Sequence, residues 1–166
     1  MVRIKTILIA VLVVILGILA ATYLLESEEK KVKKQFDLLS KWVSKDLGES
    51  PITMASKAKN IGTLFAESCE LKVPVDSISA TYTPAEVSGY ALHGRLQFSE
   101  MSLKFYDLTV EFPEKGTAQV VLTANLKGRS MNGELIDETL EVQCVLNKID
   151  QKWLFSAFEV VEVLEK

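Results

Sequence analysis

Residues 103–164, LKFYDLTVEFPEKGTAQVVLTANLKGRSMNGELIDETLEVQCVLNKIDQKWLFSAFEVVEVL, decide the fold. They contain four alternating apolar and polar runs, Leu103 to Phe112, Thr117 to Lys127, Glu134 to Lys148 and Trp153 to Leu164. A period of two is the mark of half-buried strands. The breaks between the runs, Pro113 to Gly116, Gly128 to Gly133 and Ile149 to Lys152, are short and rich in turn-forming residues, so consecutive strands are expected to be antiparallel neighbours. Leu108, Val110 and Phe112 share one face, as do Val120, Leu122 and Leu126, then Leu140, Val142, Cys144 and Leu146. One face of the sheet is therefore apolar and requires a cover of helices, an α+β arrangement.

The cover lies upstream. Thr83, Pro84 and Glu86 spell a capping box with proline in the first turn, and Val87, Tyr90, Ala91, Gly94 and Phe98 are expected to form that helix's buried face. Ser50 before Pro51 starts another helix, whose apolar stripe Ile52, Ala55, Ile61, Leu64 and Phe65 is expected to end near Ala66. Cys69, Leu71 and Val73 alternate with Glu70 and Lys72, a short strand halted by Pro74. From Glu26 to Asp46, Val32, Phe36, Leu39 and Val43 recur at helical spacing, with Trp42 beside them.

The segment before Glu26 is of another kind. Residues 6–25, TILIAVLVVILGILAATYLL, are uncharged, long enough for a helix to cross a hydrocarbon core of about 30 Å. The run exceeds the apolar core of a signal peptide, and Tyr23, Leu24 and Leu25 continue it past the weak site at Ala20 and Ala21. A lipid anchor requires a cysteine just after the run, and the first cysteine is Cys69. We therefore expect a basic cytoplasmic tail at 1–5, a transmembrane helix at 6–25 and a globular domain at 26–166. No Gly or Pro lies between Gly17 and Gly48, so the span is expected to run into the domain's first helix and keep the domain beside the bilayer.

Orientation rests on opposing signals. Arg3 and Lys5 precede the span and Lys30, Lys31, Lys33 and Lys34 follow it, a count that slightly favours a cytoplasmic carboxyl side. The short basic tail and the acidic Glu26, Glu28 and Glu29 favour the reverse. Our reading is amino terminus inside, domain outside.

Composition narrows the function classes. Without Arg3 and Lys5 the chain keeps 17 basic against 22 acidic residues, a balance that disfavours nucleic acid as a partner. The lysines at 30–34 sit at headgroup level and read as a solvated helix face touching anionic lipid. Cys69 and Cys144 are too few for a disulfide scaffold and wrongly spaced for zinc, and their apolar strand contexts read as two buried free thiols.

Three helices, a short strand region interrupted by the third, and a closing meander of long strands is the order of the nuclear transport factor 2-like, or cystatin-like cone, superfamily. The chain resembles it from about Lys30 to Lys166 on the segments TYTPAEVSGYALHGRLQF (81–98), LKFYDLTVEF (103–112) and DETLEVQCVLNKIDQKWLFSAFEVVEVL (137–164). It is similar in particular to single-pass bacterial members with a SnoaL-like domain. The resemblance implies a curved, mainly antiparallel sheet that three helices close into a conical pocket. Dimerisation through the sheet, common among such proteins, is a further implication.

Superfamily enzymes such as ketosteroid isomerases and SnoaL-like cyclases work inside the cone, which requires a poised carboxylate or histidine in an apolar cavity. The candidates are few. Asp107, mid-strand, shares alternation with Phe105, Thr109 and Glu111; if that face lines the cone, Asp107 is a base, with Tyr90 or Tyr106 as donor. The competing reading puts those residues on the sheet's outer, wet face. His93 falls on the polar side of its helix and reads as a surface histidine. Ketosteroid isomerases carry a tyrosine in the first helix where this chain has Phe36 and Trp42, so none of their residues transfers.

Asp137, Glu138 and Glu141 do not share one face, and a solvated strand edge explains them without a metal. No nucleophile has a histidine partner in sight, and there is no phosphate-binding glycine loop; no cofactor is expected. Two functions follow. One is a non-catalytic module of the bacterial inner membrane, binding a protein partner or small apolar ligand through the cone pocket or sheet face. In layout alone it resembles the inner-membrane assembly component of type IV secretion. The alternative is a SnoaL- or ketosteroid isomerase-like pocket enzyme using Asp107 as base.

Overall fold

A computed structural model describes residues 2–73 and 78–163. Helix α1 spans Val2–Val43 without interruption. The chain divides into two compact units, Met1–Lys31 and Val32–Lys166. In the first, Val11 to Leu16, Ile18, Leu19 and Tyr23 are exposed around the helix, which is long and apolar enough to cross a membrane by length and composition.

Helix α2 covers Pro51–Gly62 and α3 covers Pro84–Gln97. Both start as their sequences dictate. Ser50 accepts a hydrogen bond from the Thr53 amide, and Pro51 occupies the first turn, where no amide hydrogen is needed. Thr83 and Glu86 form the expected capping box: the Glu86 amide donates to the Thr83 hydroxyl, and the Thr83 amide donates to the Glu86 carboxylate at 2.8 Å. The Thr83 amide, and after it the Thr83 hydroxyl, which also donates to the carboxylate at 2.8 Å, hold the Glu86 carboxyl below its ordinary pKa. Helix α2 ends earlier than expected, at Gly62, because Phe65 and Ala66 have already entered strand β1, Phe65–Val73. Ile52 and Ala55 are exposed, and Met54, Ala58 and Ile61 carry the buried face instead.

Strand β2, Ile78–Tyr82, pairs antiparallel with β1 and lacked a clear alternating signal. Pro74 and Leu164, the expected strand ends, lie outside the described residues. The long strands β3 (Phe98–Glu114), β4 (Thr117–Ser130), β5 (Leu135–Ile149) and β6 (Lys152–Val163) form the expected antiparallel meander. The sheet order is β2-β1-β6-β5-β4-β3, and only β1 with β6 is parallel. The fold is therefore α+β, with a mainly antiparallel six-stranded sheet.

The core is one cluster between the helices and the apolar sheet face. Val32, Phe36 and Leu39 of α1 and Ile61 of α2 meet Ala118, Val120 and Leu122 of β4, with Val142, Cys144 and Leu146 of β5. Trp153 and Phe155 of β6 complete it.

Candidate functional site

The place to look for chemistry is the volume between the helices and the apolar sheet face, where aromatic side chains cluster. The Phe36 ring packs edge-on against Phe105 (centroids 5.4 Å apart) and Phe155 (5.0 Å). Phe155 in turn meets Phe65 at 5.4 Å and Phe158 at 5.0 Å. Phe36 and Phe155 are fully buried. The two edge-to-face pairs of Phe36 add about 0.5–1.5 kcal/mol each beyond the area they bury.

Asp107 does not reach this volume. Its φ is +55°, and β3 carries one extra residue there: Tyr106 pairs with Thr123, whereas Thr109 pairs with Val121. This bulge resets the alternation. Leu103 and Phe105 pack on the core before it, and Leu108, Val110 and Phe112 pack on the core after it. Both sequence readings assumed unbroken alternation from Phe105 to Glu111, and both therefore put Phe105 with Asp107. In the structure Phe105 turns inward and Asp107 is exposed.

Tyr106 is 46% exposed and Tyr90 is 65% exposed, the latter stacked edge-on against Tyr82 at 5.4 Å. Tyr90 was expected on the buried face of α3, but the buried residue there is Arg95. Exposed His93 shares with Tyr90, Glu86 and Gly89 an open cleft of about 440 Å³ on the outside of α3. The three candidates are thus held at the surface, and no described hydrogen bond or ring contact joins them.

The thiols are equally withdrawn. Cys69 and Cys144 are both free and buried. Burial, and secondarily the charge of Glu70, push the Cys69 thiol up to about 11; burial pushes Cys144 higher still. Asp137 is engaged by Asn125 at 2.9 Å and by Lys127 at 3.2 Å. Among the described residues no group of three His, Cys, Asp or Glu side chains could hold a metal.

What sequence reading missed is a buried ionic network. Arg95, 1% exposed, donates through Nη1 to the carbonyls of Trp42 (2.6 Å), Val43 (2.6 Å) and Ser44 (3.1 Å), the unpaired end of α1. Its Nη2 pairs with Glu49, whose other oxygen lies 2.9 Å from Lys57 Nζ. Lys45 Nζ donates to the carbonyls of Arg95 (2.9 Å) and Phe98 (2.5 Å), the end of α3. The Lys45 backbone also bridges Met101 of β3 in both directions, at 2.8 and 3.0 Å. The only sequence hint was a basic residue near each helix end, which is where basic residues commonly lie in solvent.

Beside this network lies an open cleft of about 510 Å³, lined by the Lys45–Leu47 loop, Glu100–Ser102 of β3, Lys127 and Gly128 of β4, and Leu135–Asp137 of β5. Leu47 and Leu135 on it are 75% and 71% exposed.

No protein-family model matches the chain. No curated protein sequence matches it either. Solved structures do. A scytalone dehydratase-like protein of Novosphingobium aromaticivorans aligns with a TM-score of 0.65 at 18% identity, covering 84% of this chain and 85% of that one. A hexachlorocyclohexane dehydrochlorinase, LinA type 2, aligns with a TM-score of 0.64 at 11% identity, covering 83% and 88%. A protein of unknown function with a cystatin-like fold from Nostoc punctiforme aligns with a TM-score of 0.58 at 11% identity, covering 83% and 92%. Element order, sheet order and these alignments agree: the domain has the nuclear transport factor 2-like, cystatin-like cone fold.

Proposed function

We propose that the chain is a single-pass protein of the bacterial inner membrane whose cone-fold domain binds a partner protein at its surface and performs no chemistry in its interior. The carrying observation is the aromatic packing inside the cone: where a pocket enzyme requires a hollow with a polar tip, Phe36 packs edge-on against Phe105 and Phe155. Asp107 at the surface supports the same reading. The dehydratase and dehydrochlorinase among the similar structures keep the pocket-enzyme alternative in view, but at 18% and 11% identity they speak for the fold.

Anchoring is supported by the apolar helical stretch 11–23, whose described side chains are all exposed. We read the domain as extracytoplasmic, and a pairing of two copies through the outer sheet face is compatible with this role.

Two measurements test the proposal. Carbonate washing of membranes should leave the full chain in the pellet, whereas release without detergent overturns the anchor. Xenon under pressure should leave the NMR signals of the Phe36, Phe105 and Phe155 rings unmoved in the full chain in nanodiscs. Xenon-induced shifts at those rings would reveal a hollow cone and overturn the non-catalytic reading.

A further inference from the structure

We propose that the 510 Å³ cleft beside Lys45–Leu47 docks an extended segment of the partner protein that carries a basic residue next to apolar ones. This inference rests on the protein-binding role proposed above and names the chemistry of the partner.

Part of the wall is apolar. Single exposed leucines are ordinary, but here Leu47 and Leu135 flank one cleft whose lining also includes Met101 and Ile136. Covering such side chains with apolar atoms is favourable, and the cleft is open to a chain segment along strands β3 to β5.

The charge that a ligand meets is negative. Of the two lysines on the lining, Lys45 turns its ammonium into the carbonyls of Arg95 and Phe98, and Lys127 is engaged by Asp137 at 3.2 Å. Glu100 faces Arg129 at 3.4 Å across an exposed pair that water weakens. Asp46 is exposed and has no ion-pair partner among the described residues. An ammonium or guanidinium entering the cleft would therefore meet the Asp46 carboxylate beside the exposed Leu47. An acidic segment would find repulsion.

The loop that presents Asp46 and Leu47 is held before any ligand arrives. Lys45 is bonded to Met101 through its backbone and to α3 through its ammonium, and Glu49 is clamped by Arg95 and Lys57. A wall fixed in advance spares the ordering entropy that a mobile loop would lose on binding.

The test uses the full chain in nanodiscs of zwitterionic phosphatidylcholine, which offer a cationic peptide no anionic lipid. Anisotropy is read for the fluorescein-labelled peptide GSLKLRSG and its acidic counterpart GSLELESG. The basic peptide should bind and the acidic one should not. Asp46→Lys and Leu135→Asp should each weaken binding about tenfold or more, a change worth about 1.4 kcal/mol. Both positions are exposed, and circular dichroism checks that the variants fold. Equal binding of the two peptides, no binding of either, or binding indifferent to both substitutions overturns the cleft assignment. Those outcomes leave the anchor and the filled cone untouched, since these are read by carbonate washing and xenon.

Discussion

Lys45 and Arg95 exchange helix ends: the Lys45 ammonium lies on the carbonyls of Arg95 and Phe98 where α3 stops, and the Arg95 guanidinium lies on those of Trp42, Val43 and Ser44 where α1 stops. Each helix terminus exposes carbonyls that its own backbone cannot satisfy, and each carries the negative end of the helix dipole. A cation from the other helix's end answers both needs at once. The exchange ties α1 to α3 at the corner where β3 begins, and through Glu49 and Lys57 it extends to α2.

Because Arg95 is buried, its loss should be severe. Arg95→Met leaves the Glu49 carboxylate without its guanidinium and three carbonyls without a donor, and breaking one side of a buried charge pair costs about 3–5 kcal/mol. Arg95→Lys should recover little, since a single ammonium cannot reproduce the fork that spans the helix end and Glu49. Urea unfolding of the full chain in detergent, followed by tryptophan fluorescence, measures both. A loss under 1 kcal/mol in Arg95→Met would show the network to be ornamental.

Helices α2 and α3 cross at Gly62. A Cβ there would stand 2.6 Å from the Pro84 carbonyl oxygen and 2.1 Å from the Ser88 hydroxyl. The hydroxyl can rotate away, but the backbone carbonyl cannot. Gly62→Ala should therefore cost about 1–3 kcal/mol as the helices part, and Ser88→Ala in the same chain should not restore it. Thermal unfolding of the two variants decides whether the carbonyl or the hydroxyl sets the fit.

Much of this architecture was legible because it rests on local chemistry. The Thr83–Pro84–Glu86 box and the Ser50–Pro51 start are signals of a few residues, and the meander declared itself by alternation and turns. The site was far less legible. Asp107 shares an odd number with Phe105, yet one extra residue in β3 puts the two on different sides, and a bulge has no short signature in a strand of this composition. Arg95 was hidden because its acceptors are backbone carbonyls more than 50 residues away, which no side-chain pattern records. β2 was missed because a short strand at the edge beside β1 needs little alternation of its own.

The buried thiols make alkaline pH a probe of the core. The Cys69 thiol rises from its ordinary 9.0 to about 11, chiefly by burial and then by the charge of Glu70. Below pH 9 the thiol is protonated in folded and unfolded chains alike, so its contribution is fully present. Between pH 9 and about 11 the unfolded chain releases a proton that the folded chain retains, and stability falls. Cys144 extends the loss in the same direction. The fall in urea midpoint between pH 8 and pH 10.5 should be smaller in a Cys69→Ala, Cys144→Ala chain than in the parent. An equal fall in both would assign it to other groups.

Asp107 offers a test of conformation against chemistry. An L-residue at φ +55° is held in the left-handed region, where Asp is tolerated, Gly is at ease and a β-branched residue is strained. Asp107→Gly should therefore leave stability within about 0.5 kcal/mol of the parent, while Asp107→Val should lose about 1–2 kcal/mol. Asp107→Asn should match the parent, since Asn accepts the same backbone and the exposed carboxylate makes no described hydrogen bond. If the bulge itself keeps Phe105 inward, fluorescence of the buried Trp153, which packs near Phe112 at 5.8 Å, should be unchanged in the Gly and Asn variants and altered in the Val variant. A Val variant as stable as the parent would mean that β3 carries its extra residue elsewhere, and that the reversal of sides between Phe105 and Leu108 has another cause.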